Sequence, residues 1–170
     1  MGSRFRDPVL PELSEGLVEV LRCGRAPSLS AVAILASRED AIPRLRRFLD
    51  HFSMGWRVFD DLSDWERDLS VKNQNRSSVL GYISRINGGR PASRQVVLNS
   101  FLSPAFVQSA YGAILGFLSA ARDDVSAFHS PYLDQFMDDQ LRFHETRRAE
   151  ILRSGSIMRG SLNRTLRSVS

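Results

Sequence analysis

The stretch Ser53-Met54-Gly55-Trp56-Arg57-Val58-Phe59-Asp60-Asp61-Leu62-Ser63-Asp64-Trp65-Glu66-Arg67-Asp68-Leu69 decides how the chain is read. Leu45, Phe48, Leu49, Phe52, Trp56 and Phe59 recur at spacings of three and four, the apolar stripe of a helix packed into a core. Pro43 falls in the first turn, where a missing N–H is harmless, and the pattern predicts a helix over about 41–70. Asp60, Asp61, Asp64 and Asp68 stand at i, i+1, i+4 and i+8. At about 100° per residue they share an arc of roughly 100° beside the apolar stripe. Carboxylates stacked this way repel one another. A hard divalent cation such as Mg²⁺, which takes oxygen ligands, relieves that repulsion. The other reading is a solvated acidic face balanced by Arg57 and Arg67, with Arg57 pairing with Asp61 at i+4. Helical spacing leaves both open.

The run from Ser53 to Asp64 resembles the second aspartate-rich region of trans-isoprenyl diphosphate synthases, roughly Gly-x-Ala-Phe-Gln-x-x-Asp-Asp-x-x-Asp. Gly55 and Trp56 stand where a small residue and an aromatic are expected, and all three motif aspartates are present. The continuation through Trp65-Glu66-Arg67-Asp68-Leu69 to Asn75 is similar to the wider class I isoprenoid (terpenoid) synthase superfamily. The resemblance covers about residues 44–82. It implies an all-α bundle in which Asp60, Asp61 and Asp64 hold Mg²⁺ against an allylic isoprenoid diphosphate, with Asp68 behind them. The metal then neutralises the leaving group during condensation or cyclisation. Arg57 and Lys72, the one lysine of the chain, become diphosphate contacts. Arg57 replaces the family's glutamine and Ser53 its glycine. The family's first aspartate-rich motif has no counterpart: 59 residues precede Asp60, and Glu12 and Glu15 lack the spacing. The chain therefore reads as the C-terminal portion of such a fold, without its N-terminal helices.

Elsewhere the pattern is helical throughout. Residues 10–22 and 28–37 read as two short helices. A helix begins at Ser77-Ser78, and Asn87-Gly88-Gly89-Arg90-Pro91 is a loop. A helix follows over about 92–101. Ser103-Pro104 and Ser130-Pro131 each pair a capping serine with a proline at the first helical position, opening helices to about 128 and 153. No stretch alternates with period two.

Composition sets the limits. Residues 1–152 suffice for one domain with a core, and no apolar run reaches the ~20 residues a membrane span requires. Met1–Arg6 carries no apolar leader, and Cys23 is alone, which together point to a reducing, cytoplasmic setting. The net charge of +4 is local: residues 153–170 hold four arginines and no acid, so the rest carries nineteen bases against nineteen acids. That serine- and glycine-rich end reads as a flexible tail able to touch anions, with nucleic acid not the favoured partner.

Asp134, Asp138, Asp139, His144 and Glu145 make a second polar concentration, interleaved with Gln135, Arg142, Arg147 and Arg148, the pattern of a solvated, salt-bridged face. His51 and His129 have no partner at metal-ligand spacing. Three functions follow: a Mg²⁺-dependent isoprenoid synthase-like protein, a non-catalytic relative that completes a site in a homo- or hetero-oligomer, or a helical interaction module with an anion-binding arginine tail. Exposed apolar surface on the isolated chain would favour the second.

Overall fold

The computed structural model describes residues 39–70 and 77–169, with side chains to Ile157. The described residues are all-α. After a 3₁₀ turn at Glu39–Ala41, the helices are α1 (Ile42–Ser63), α2 (Trp65–Ser70), α3 (Ser78–Ile86), α4 (Arg94–Phe101), α5 (Pro104–Ser126) and α6 (Pro131–Val169). The helices expected over 10–22 and 28–37, together with Cys23 and Lys72, lie outside the described residues.

Local chemistry sets the boundaries. Ser77, Ser93 and Ser103 each accept a hydrogen bond from a backbone N–H three residues on, at Leu80, Val96 and Phe106, meeting donors that a helix start leaves open. Pro43, Pro104 and Pro131 open their helices as the sequence predicts. Gly88 and Gly89 take positive φ, 70° and 77°, and close α3; a side chain at either would be strained. The predicted 41–70 helix is divided: the chain bends at Asp64, and α2 continues beyond it. At the other end the helix does not stop at 153. α6 runs on to Val169, through the stretch expected to be a flexible tail. No proline follows Pro131, so Gly155 and Gly160 weaken that helix by about 1 kcal/mol each without a stop signal.

α5 is the central helix. Gly55 of α1 lies against Leu118 and the Ile114 carbonyl, and Arg47 and His51 near the start of α1 reach Asp124 near the end of α5. These pairings run α1 antiparallel to α5. Tyr111 facing His144, and Arg122 facing Asp138, run α6 antiparallel to α5 on its other flank. α1 and α6 are therefore parallel and meet through Phe52–Phe136 and Phe59–Phe143. Val58, Leu80, Ile83, Val97, Ile114, Leu118, Val125 and Met137 form the core, with α3 and α4 closing one end. Trp65, Phe101, Phe106 and Tyr82 make an aromatic chain there, at centroid spacings of 5.5–5.9 Å. By length and composition α5 alone among the described helices is apolar enough to cross a membrane; in the bundle its apolar side chains Val107, Ile114, Leu118 and Val125 are core.

Candidate functional site

The four aspartates do not act as one ladder. Asp61 turns inward and is only 1% exposed. Its Oδ2 accepts hydrogen bonds from the backbone N–H and the hydroxyl of Ser78, both at 2.5 Å. Ser78 is the first residue of α3, so the carboxylate meets an open backbone donor and sits at the positive end of that helix. Arg57 Nε lies 3.1 Å from Oδ1, the i+4 pairing of the second reading. Burial raises the Asp61 pKa above its ordinary 3.8, against the lowering effects of Ser78 and Arg57; the nearby Asp68 raises it slightly further. Asp61 is a latch between α1 and α3.

Asp64 is ion-paired with Arg67 one turn on. Asp60 and Asp68 are half-buried. Among the described residues, no group of three His, Cys, Asp or Glu side chains is gathered closely enough to hold a metal. A cleft of about 440 Å³ beside the acidic run is lined by Trp65, Glu66, Leu69, Ser70, Ala92 and Arg94, and by none of the four aspartates. Arg57 is engaged with Asp61 on the structural side of the choice posed by sequence.

The second polar concentration is the salt-bridged face that the sequence predicts, with one exception. Arg122 Nε binds Asp138 at 2.5 Å, Arg142 meets Asp139 at 3.4 Å and Arg147 meets Glu150 at 3.3 Å. The Arg122 hydrogen bond holds the Asp138 carboxyl below the usual carboxylate range. His144 is the exception: it is 0% exposed. Its ring packs edge-on against Phe59 at 4.7 Å and Phe143 at 4.9 Å, with Tyr111 at 6.4 Å. The available signal was its spacing of seven from both Met137 and Ile151, which places it on the core stripe of α6. His51, which has no partner at metal-ligand spacing in the sequence, is tied through Nδ1 to Asp124 Oδ2 at 2.8 Å, with Arg47 Nε 3.0 Å from Oδ1.

The other departure is aromatic. Trp56, expected in the core, is 47% exposed, and Phe143 is 49% exposed. Phe52, Trp56 and Phe59 of α1 run in ring contact at 6.5 and 5.7 Å and meet Phe136 and Phe143 of α6. These five rings form a half-open seam between the parallel helices. At one end it widens into a groove of about 550 Å³, floored by Phe59 and Phe143 and edged by Asp139, Arg142, Arg147 and Glu150. Compared with known protein families, curated proteins and solved structures, the chain matches none.

Proposed function

We propose that this chain is a non-catalytic helical module that works by taking an amphipathic helix of a partner protein into the α1–α6 seam. The observation that carries this reading is the row of half-open rings Trp56, Phe59 and Phe143 beside a groove of about 550 Å³. A guest helix laid between two parallel helices buries its apolar stripe in the mode used by helix-in-groove receptors. Aromatic side chains carry much of the binding energy at such surfaces. Along α6 the rim reads acid, base, base, acid, at Asp139, Arg142, Arg147 and Glu150. A second copy of α6 laid antiparallel over that rim would set Arg142 against Arg147 and Asp139 against Glu150. Like charges facing each other select against such pairing. A guest with basic, acidic, acidic, basic order meets the rim with opposite charges, which favours encounter and register more than affinity.

The isoprenoid synthase reading supports the same helices but asks Asp60, Asp61 and Asp64 to share a metal, and Asp61 is engaged with Ser78 and Arg57. A designed amphipathic peptide of the stated charge order tests the docking reading. In a Trp65→Phe background, it should blue-shift Trp56 fluorescence saturably. The shift should be lost with Phe143→Glu and weakened by a charge-reversed peptide. No response, or a chain that sediments as a dimer dissolved by Phe143→Glu, would overturn the reading.

A further inference from the structure

We propose that His144 makes the α1–α6 seam proton-sensitive: protonating its imidazole expels the ring from its apolar pocket and parts Phe59 from Phe143. This rests on the docking reading for its consequence, a partner surface that opens or fails as the pH falls.

The geometry carries the inference. His144 is fully buried, and neither ring nitrogen has a hydrogen-bond partner among the described residues. Buried polar groups are nearly always paired, and an imidazolium without acceptors is much costlier to bury than the neutral ring. The ring stands at 77° to Phe59 and 80° to Phe143, wedged between the two side chains that floor the groove. Movement of this ring therefore reaches the seam directly.

The groups around it do not offset the charge. From α1 the facing side chain is Phe59. From α5 it is Tyr111, whose hydroxyl is near Arg147 and Glu150, both on α6. On α6 Phe143 packs against the ring, and the charged side chains of the adjoining groove form the Arg147–Glu150 and Arg142–Asp139 pairs, so each of those acids has its own arginine. Burial alone accounts for the lowering of the His144 pKa below its ordinary 6.5. A folded pKa below the unfolded one means that stability is fully present above about 6.5 and is lost as the pH falls below it.

The test needs no guest peptide, so its failure is separable from failure of the docking reading. In the Trp65→Phe chain, Trp56 touches Phe59 at 5.7 Å and reports the seam. Its fluorescence should change with a midpoint below pH 6.5, together with a falling melting temperature. Both changes should vanish in His144→Phe and survive in His51→Gln/His129→Gln. Since His144→Phe can fail to fold, the imidazole Cε1–Hε1 resonances of the unaltered chain give a second measurement. His144 should titrate below its ordinary 6.5, and the Phe59 and Phe143 ring signals should move with it. A seam transition that persists in His144→Phe, one that disappears in the double variant, or a His144 resonance titrating at 6.5 or above would overturn the proposal.

Discussion

Asp61→Ala lowers stability by about 3 kcal/mol, a fall of roughly 10 °C in melting temperature, whereas Asp60→Ala changes it by no more than about 0.5 kcal/mol. The two residues are adjacent in sequence and equivalent in any metal-ladder reading, so the contrast is informative. Removing the Asp61 carboxylate strands the buried N–H and hydroxyl of Ser78. Each unsatisfied buried donor costs about 1–3 kcal/mol. The ion pair with Arg57 adds less, because that side chain is 36% exposed and solvent screens it. Asp61→Asn, whose amide oxygen still accepts from Ser78, should cost less than Asp61→Ala. Its deficit also depends on pH in a fixed direction. The raised folded pKa means that wild-type Asp61 contributes more when protonated, and that this contribution declines as the pH rises from about 4 through the folded value. The gap between wild type and Asp61→Asn should therefore narrow on going from acid to neutral pH. Denaturant unfolding of the three variants at pH 4 and 7 measures all of this.

Gly55→Leu should be about as damaging, for a packing reason. A Cβ at position 55 would stand 3.2 Å from Leu118 Cγ and 3.3 Å from the Ile114 carbonyl oxygen. Leu118 and Ile114 are 1% and 0% exposed, so neither can move into solvent, and the oxygen is backbone. Overpacking of this kind costs about 1–3 kcal/mol, and a complete leucine side chain belongs at the upper end. Gly55→Ala is a different case. The helix gains about 1 kcal/mol in propensity, which offsets much of a contact only a few tenths of an ångström too close, so a net change under about 1 kcal/mol is expected. Pairing Gly55→Leu with Leu118→Ala should give less than the sum of the two losses, because one side chain fills space the other vacates. Thermal unfolding of the two single variants and the double variant checks it.

These two predictions show what the sequence made legible and where it stopped. Helix starts were readable because serine caps and first-turn prolines are local chemistry: Ser103-Pro104 and Ser130-Pro131 mark α5 and α6 to the residue. Gly55 was noticed as a small residue in a motif; its use, the close approach of α5, depends on a helix about sixty residues away. The division of labour among Asp60, Asp61 and Asp64 was not legible. The partner that decides it, Ser78, is 17 residues away on another helix, and helical periodicity gives an angle without saying what occupies it. His144 was read as polar surface because charged neighbours surround it in sequence, although its seven-residue spacing from Met137 and Ile151 carried the opposite message. Trp56 was read as core from the same stripe that holds Phe48 and Phe59. It lies at the stripe's edge, where only the placement of α6 determines whether a ring is covered.

The measurement that bears most directly on the acidic run is calorimetric titration of Mg²⁺ and inorganic diphosphate, together and separately, into the unaltered chain and into Asp60→Ala/Asp64→Ala. With Asp61 held as the latch between α1 and α3, neither chain should show saturable binding, and the melting temperatures should not respond to the two ions. Diphosphate binding that requires Mg²⁺ and disappears in the double variant would contradict this. At a hundredfold excess over Kd such binding would raise stability by about 2.7 kcal/mol, and the aspartates would then be a metal site.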